Sequence, residues 1–334
     1  MRLLCAEQKK RTLKHATTKK ETVANNKRNK YMTKLKEKPK KKTCASNVVI
    51  EKSGYDTEFK VLEKSMLAPN VHFIKIYAPF IAQKAQPGQF VIIMPDTEGE
   101  RIPLSLSDWD TKEGSISIVI MDVGTTTRKI AALKKGDIID GCAGPLGKPA
   151  EIAKYGTVVC AGGCYGIGAM FPVARAMKKA GNKVIAIVEA RGEYLLFWED
   201  KYKGVADVVL SATTDGSKGT KGHVTDTITE LVEGGEKIDR VCAIGCTFMM
   251  KITTEATKPH NIPTKVQLNP IMIDGTGMCG VCRVLIGGKQ KFACVDGPEF
   301  DAHEVDWENL SKRKTPYLEE EKQALQIWEC KTYG

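Results

Sequence analysis

Val159-Cys160-Ala161-Gly162-Gly163-Cys164-Tyr165-Gly166-Ile167-Gly168 decides the fold. An apolar run ends in paired glycines and passes into a helix-like segment, Ala169 to Lys179, with Phe171, Ala174 and Met177 on one face. A strand feeding a helix through a glycine turn is the repeating unit of a parallel sheet. The glycines let backbone approach a pyrophosphate closely, and the helix N-terminus offers it partial positive charge. The spacing is not G-x-G-x-x-G, so context carries the reading, and a tight turn without a ligand is the alternative. The same rhythm continues in KVIAIVEA (183–190), ADVVLSAT (206–213), DRVCAIG (239–245) and TKVQL (264–268), with helices expected near Val224–Val232 and Phe248–Thr257. Five strands alternating with helices imply a parallel sheet covered on both faces. At the end of the second strand Glu189 suits a ribose 2′-hydroxyl, while Arg191 suits a 2′-phosphate, and the residues leave that choice open.

Upstream, Glu58 to Gly147 follows a different period. The runs EFKVLEKSML, VHFIKIYAP, GQFVIIMP, RIPLSLSDWD, SISIVIMDVG and GDIIDGCAG alternate apolar and polar residues, with Pro87-Gly88, Thr97-Glu98-Gly99 and Lys112-Glu113-Gly114 between them. Six short strands without a helix-length insert predict an antiparallel β-barrel. Arg101-Ile102-Pro103-Leu104-Ser105 lies in one strand, and Gly124-Thr125-Thr126-Thr127 opens a helical turn. A guanidinium with clustered hydroxyls and free amides suits a second pyrophosphate. Read alone, each is an ordinary surface strand or helix cap.

The chain has 334 residues and a formal charge of +11, which suggests a nucleic-acid binder until it is divided. Residues 1–45 hold 16 Lys and Arg against Glu7, Glu21 and Glu37, whereas 46–334 hold 35 basic and 37 acidic residues. The basicity is confined to an N-terminal segment without hydrophobic periodicity, expected to be a disordered tail over 1–56. A nucleic-acid or membrane-surface arm, or an extension upstream of a start at Met32, are the other readings. An organelle-targeting peptide fits less well, because the tail is rich in Lys rather than Arg. No secretion signal or run of eighteen apolar residues is present, so a cytoplasmic protein without a membrane span is expected.

Eleven cysteines without a secretion signal point to metal or redox chemistry rather than disulfides. Ile273-Asp274-Gly275-Thr276-Gly277-Met278-Cys279-Gly280-Val281-Cys282 is followed by Cys294, a D-x4-C-x2-C-x11-C spacing. Plant-type ferredoxins hold a 2Fe–2S cluster with C-x4-C-x2-C and a later Cys, and here Asp274 takes the first position. A carboxylate is anionic like a thiolate but a harder donor. A zinc site on the same three cysteines is the alternative, although zinc ribbons show two C-x2-C knuckles. Cys330 or Asp296 can replace Asp274 as fourth ligand. Cys142, Cys160 and Cys242, inside strands, read as small core residues.

Together these residues resemble the ferredoxin–NADP⁺ reductase superfamily. Over about 57–330 they are most similar to the small subunits of NADH-dependent reduced ferredoxin:NADP⁺ oxidoreductase and to the electron-transfer subunits of sulfide dehydrogenase and dihydroorotate dehydrogenase. LNPIMIDGTGMCGVCRV and KFACVDGPEFD, within 268–301, carry the resemblance most specifically. It implies an FAD-binding antiparallel β-barrel over 57–152, an α/β parallel-sheet NAD(H)-binding domain over 153–268, and a C-terminal 2Fe–2S loop and helix over 269–334. By position, Arg101, Pro103, Leu104, Ser105, Gly124, Thr125 and Thr126 would match the flavin motif. Gly162, Gly163, Gly166 and Gly168 would match the pyridine-nucleotide loop, with Thr214 to Ser217 (Asp215 among them) and Gly245 to Met250 (Met249 among them) near the nicotinamide. Asp274, Cys279, Cys282 and Cys294 would hold the cluster. The dihydroorotate dehydrogenase subunits carry Cys at the first ligand, so Asp274 points to the bifurcating branch. The family usually has Gly at 164 and Gly-Pro at 245–246, where this chain has Cys164 and Gly245-Cys246. The implied activity is hydride exchange with NAD(H) and single-electron exchange with the cluster. The implied partner is a larger subunit carrying FAD and 4Fe–4S clusters, binding NADP(H) and reaching ferredoxin, in a heterodimer. The rival from another class is a basic-tailed nucleic-acid-binding protein with a zinc loop.

Overall fold

The period-two segments form strands that pair antiparallel in one sheet. The strands are β1 (Phe59–Ala68), β2 (Val71–Tyr77), β3 (Phe90–Met94), β4 (Ile102–Asp110), β5 (Ser115–Met121), β6 (Ile138–Ile139) and β7 (Gly141–Leu146), with helices α1 (Pro79–Lys84) and α2 (Thr125–Ala132) among them. The computed structural model describes residues 58–333, so the basic tail read from the sequence lies outside the described residues. The sheet order is β6-β1-β2-β5-β4-β3-β7, antiparallel throughout. Alternate side chains, including Ile74, Ile76, Val91, Ile93, Ile116, Ile118 and Ile120, fill one interior.

The expected six strands without a helix-length insert are seen with two refinements, while the helical turn expected at Gly124 is α2. GDIIDGCAG, expected to be one strand, divides at Asp140 into β6 and β7, which lie at opposite edges of the sheet. One residue between two edge strands brings the edges together, and this near-closure makes the sheet a barrel. Helix α1 starts on Pro79, whose fixed φ and missing N–H suit a first turn. Helix α2 is capped by Thr127, whose hydroxyl accepts from the N–H groups of Val123 and Gly124 at 3.1 and 3.0 Å.

The second sheet contains β8 (Thr157–Gly163), β9 (Lys183–Ala190), β10 (Val208–Thr213), β11 (Thr220–Lys221), β12 (Arg240–Ile244) and β13 (Thr264–Gln267). Its helices are α3 (Gly166–Lys179), α4 (Glu199–Lys203), α5 (Val224–Glu233) and α6 (Thr247–Thr257). The five expected strands run parallel in the order β10-β9-β8-β12-β13. From β8 the chain winds one way to β10 and then the other way to β13, so the crevice at the carboxyl ends of β8 and β12 is the topological switch point.

The C-terminal part holds the hairpin β14 (Arg283–Ile286) and β15 (Lys289–Phe292), α7 (Ala293–Asp296), β16 (Glu299–Asp301), α8 (Trp307–Lys314) and α9 (Leu318–Tyr333). The expected polar helix is α9. Strand β16 pairs antiparallel with β13 and ties the cysteine segment into the second sheet. Cys282, Val284, Ile286 and Cys294 accordingly share a core with Val241 and Val266.

The two sheets meet at the first turn of α3. On β5, Ile116, Ile118 and Ile120 face the barrel interior, while Val119 faces outward and packs with α3. A Cβ on Gly168 would lie 2.6 Å from the Val119 Cβ, and one on Gly166 would lie 2.0 Å from the Ile244 carbonyl oxygen. Both distances are below van der Waals contact, so only glycine permits this approach. At the other end of the contact Arg175 pairs with Asp108 at 2.8 Å and lies over the Trp109 and Phe171 rings. Gly166→Ala should therefore lower stability by about 2 kcal/mol, in the range of core overpacking. Gly124→Ala, with no atom within 4 Å of the new methyl, should shift it by under about 0.5 kcal/mol. Denaturant unfolding of the two variants beside the parent checks this.

Candidate functional site

A cavity of about 360 Å³ opens where the barrel meets the switch point. Pro103, Leu104 and Ser105 of β4 form one wall, Val119 to Met121 of β5 a second, and Gln267 at the end of β13 with Leu268 and Asn269 after it a third. The lining is mostly apolar, and its few polar groups are placed by the fold. Gln267 is buried, and neither its amide nitrogen nor its amide oxygen has a partner among the described residues. Such a group carries a desolvation penalty unless a ligand satisfies it.

The remaining polar wall is a connected network. The Tyr165 hydroxyl donates to the Gly245 carbonyl at 2.9 Å and accepts from the Asn269 amide nitrogen. Burial pushes the Tyr165 hydroxyl up to about 12, which keeps it neutral at physiological pH. The Asn269 amide oxygen accepts from Thr247 at 3.1 Å and from the Lys314 ammonium at 3.0 Å.

At the mouth stand Val123 and Thr127, beside the N-terminus of α2. Gly124 has open space where a side chain would point, and Thr125 is half-buried next to it. Thr126 is buried, with its hydroxyl given to Glu100 at 2.9 Å. Arg101 is exposed just before β4.

The crevice residues take several roles. Gly162 and Gly163 end β8, and a Cβ at Gly162 would meet the Ile167 backbone at 2.8 Å. Gly166 and Gly168 face Ile244 and Val119, so their missing side chains serve packing. Met249 is buried, and its sulfur would lie 2.5 Å from a Cβ at Gly245 and 3.0 Å from one at Gly163. Cys164 holds φ +53°, the left-handed region that favours glycine. Burial pushes its thiol up to about 11, with the Cys246 thiol adding to the shift. Cys246 caps α6, its sulfur accepting the Met249 N–H at 3.4 Å. Asp215 is exposed and accepts from the N–H and hydroxyl of Ser217 at 2.9 and 2.6 Å.

Glu189, one of the two open readings for the end of β9, is engaged within the chain. Its carboxylate accepts the Val224 N–H at 2.6 Å and lies 3.1 Å from the His223 ring, so it caps α5. A strand-end acid reads alike in sequence whether it meets a sugar or a helix.

The cysteine loop turns on Gly275, Gly277 and Gly280, at φ +75°, +84° and +66°. Cys282 and Cys294 are buried with their sulfurs 3.2 Å apart, and burial together with the Cys282 thiol pushes Cys294 up to about 12. Cys279 is exposed. Asp274 accepts the N–H groups of Thr276 and Cys279 at 2.8 and 2.9 Å, and these hold its carboxyl below the usual range. Among the described residues no three His, Cys, Asp or Glu side chains converge as a closed metal site. Asp296 accepts the Phe292 N–H, and Cys330 is exposed on α9 beside Glu329, which pairs with Arg128 of α2.

The family model for the iron–sulfur cluster binding domain of dihydroorotate dehydrogenase B matches residues 269–306. The electron transfer subunit homolog of dihydroorotate dehydrogenase B (NAD(+)) from Thermotoga maritima is 45% identical over 263 residues, 79% of this chain and 93% of that protein. The electron transfer subunit from Fusobacterium nucleatum subsp. nucleatum is 32% identical, over 74% of this chain and 97% of its own. The chain belongs to the dihydroorotate dehydrogenase B electron-transfer subunit family. A solved chain from the NADH-dependent reduced ferredoxin-NADP oxidoreductase, studied for flavin-based electron bifurcation, is 43% identical with a TM-score of 0.78, covering 83% of this chain and 99% of that one. The cytochrome P450 reductase GcoB of Amycolatopsis, 20% identical with a TM-score of 0.54, over 61% of this chain and 66% of its own, shares the fold.

Within this electron-transfer subunit family member, sequence reasoning passed over Gln267, Asn269, Tyr165 and Lys314. The available signal was VQLNP, which puts amides at the carboxyl end of a buried strand, where a switch-point crevice forms. Replacing an unsatisfied amide by an apolar side chain of similar length removes its desolvation penalty. Gln267→Met should therefore leave the ligand-free chain at least as stable as the parent, by about 1 kcal/mol in its favour. Chemical denaturation of ligand-free protein measures it.

Proposed function

We propose that this chain is the electron-transfer flavoprotein subunit of a two-subunit oxidoreductase, exchanging hydride with NAD(H) at FAD and single electrons with a 2Fe–2S cluster. The observation that carries this is the cavity at the junction of barrel and parallel sheet, with the unsatisfied Gln267 amide inside it. The residues fit a flavin. Apolar walls suit its ring, a donor–acceptor amide suits its polar edge, and the open Gly124 beside the α2 N-terminus suits a phosphate group. Residues 57–152 are the flavin-binding part in this reading, 153–268 the NAD(H)-binding part and 269–334 the cluster-binding part.

Bound FAD supplies conversion between two-electron and one-electron chemistry. The chain's own residues supply the rest. Pro103, Leu104 and Leu268 give the cavity apolar walls, and the neutral Tyr165 donates its proton to Gly245 rather than releasing it. Arg101, Ser105, Gly124, Thr125 and Thr126 lie on the flavin side, and Gly162, Gly163, Asp215 and Gly245 on the nucleotide side. Asp274, Cys279, Cys282 and Cys294 would hold the cluster, one carboxylate and three thiolates supplying four anionic donors.

The partner in this reading is a larger subunit with its own FAD and 4Fe–4S clusters, binding NADP(H) and reaching ferredoxin, in a cytoplasmic heterodimer. The likeness to the bifurcating ferredoxin-NADP oxidoreductase chain and the aspartate at 274 support it. No helix among the described residues is long and apolar enough to cross a membrane. A second reading, service to a dihydroorotate dehydrogenase, is favoured by the names of the relatives. The partner that copurifies from native cells separates the two.

Reconstituted with iron, sulfide and FAD, the chain should carry one flavin and one 2Fe–2S cluster, read by absorption and metal analysis. Stoichiometric zinc with iron near zero overturns the reading. Cys282→Ala should lose the cluster while Asp274→Cys keeps it with an altered electron-paramagnetic-resonance spectrum. If Asp274→Ala and Asp274→Cys both match the parent spectrum while Cys330→Ala abolishes it, the aspartate is not a ligand.

A further inference from the structure

Helix α8 joins the cysteine loop to the wall of the cavity through two neighbouring residues. Arg313 donates to the carbonyl of Val281, beside Cys282, at 3.0 Å and to that of Arg283 at 3.1 Å. Lys314, the next residue, reaches the other way and donates to Thr247 at 2.8 Å and to the Asn269 amide oxygen at 3.0 Å. Its ammonium is half-buried and meets only neutral oxygens, with no carboxylate in ion-pair range among the described residues. Burial lowers its pKa, with the Cys246 thiol acting in the opposite direction. A half-buried cation without a carboxylate partner is stabilised when a compensating negative charge arrives.

The geometry fixes what Lys314 does to the cavity. Its ammonium and the Thr247 hydroxyl both require the oxygen of the Asn269 amide, so the Asn269 nitrogen must point to the Tyr165 hydroxyl and toward the Gly245 carbonyl. A flipped amide would set its NH₂ against the ammonium. Tyr165, accepting from Asn269, then directs its own proton at Gly245. Asn269 and Tyr165 both line the cavity, so Lys314 orients two cavity-wall groups and places one uncompensated positive charge behind them.

We propose that Lys314 is a positioning residue that orients Asn269 and Tyr165 and, through its charge, makes the cavity favour the reduced, more negative flavin over the oxidised one. This rests on the reading that FAD occupies the cavity. The iron–sulfur segment thereby sets the redox poise of the flavin as well as carrying its own cluster ligands. Because Arg313 anchors the same helix to the cysteine loop, the charge is delivered by the part of the chain that receives the electrons.

The test is spectroelectrochemical titration of the bound flavin in the full, reconstituted chain, comparing the parent with Lys314→Met, Lys314→Gln and Lys314→Arg. Flavin content and the electron-paramagnetic-resonance signal of the cluster are measured on the same samples. Lys314→Met and Lys314→Gln should each reduce the preference for reduced over oxidised flavin about tenfold, a fall of about 30 mV on a two-electron couple. Lys314→Arg should retain most of the parent potential. Cluster signal and flavin content should be unchanged in all three. Lys314→Gln keeps a donor for Thr247 and Asn269, so it separates charge from packing if Lys314→Met loses flavin. A parent potential in Lys314→Gln overturns the inference while the flavin reading stands. An arginine variant as low as the glutamine variant overturns it too. A parent chain that takes up no flavin overturns the flavin reading and this inference together.

Discussion

The structure depends on one close approach, the first turn of α3 set between β5 of the barrel and β12 of the parallel sheet. Gly166 and Gly168 are the residues that allow it, since a methyl on either would enter the Ile244 backbone or the Val119 side chain. Packing at this density leaves no slack for a side chain. It brings β4 and β5 over the carboxyl ends of β8 and β12, and the cavity is the space between them. A different rotation would move Gln267, Asn269 and Tyr165 off its wall.

The cysteine segment is held to the same frame. Strand β16 continues the parallel sheet beyond β13, and its register puts Glu299 opposite Gln267, a residue of the cavity wall. Arg313 and Lys314 then connect the loop to that wall by hydrogen bonds. Barrel, parallel sheet and cysteine loop are thus three faces of one packed junction. This arrangement suits the proposed conversion of a hydride into single electrons.

Much of this was legible in the sequence. Alternation in β1 to β5 and the strand–glycine–helix order after Thr157 gave both layers, because both follow from periods of hydrophobic burial. The division at Asp140 was not legible, since closing a barrel is a property of the sheet and not of GDIIDGCAG. Strand β16 is three residues long and carries no period. A side chain at Gly166 or Gly168 would enter Ile244 or Val119, a packing role the sequence alone does not reveal. A glycine looks the same in sequence whichever neighbour excludes its side chain. Glu189 and Gln267 show the same limit: whether a polar residue is satisfied by the chain or left for a ligand is decided by packing across elements distant in sequence.

The junction cavity, built by glycine packing and lined by the unsatisfied Gln267 amide, is the proposed flavin site. The most direct measurement is a crystal structure of the chain reconstituted with FAD. Ring density should lie between Pro103–Ser105 and Leu268, with a polar edge of the ring hydrogen-bonded to Gln267 and the phosphates beside Gly124. A ring bound elsewhere, with Gln267 still unpartnered, would contradict it.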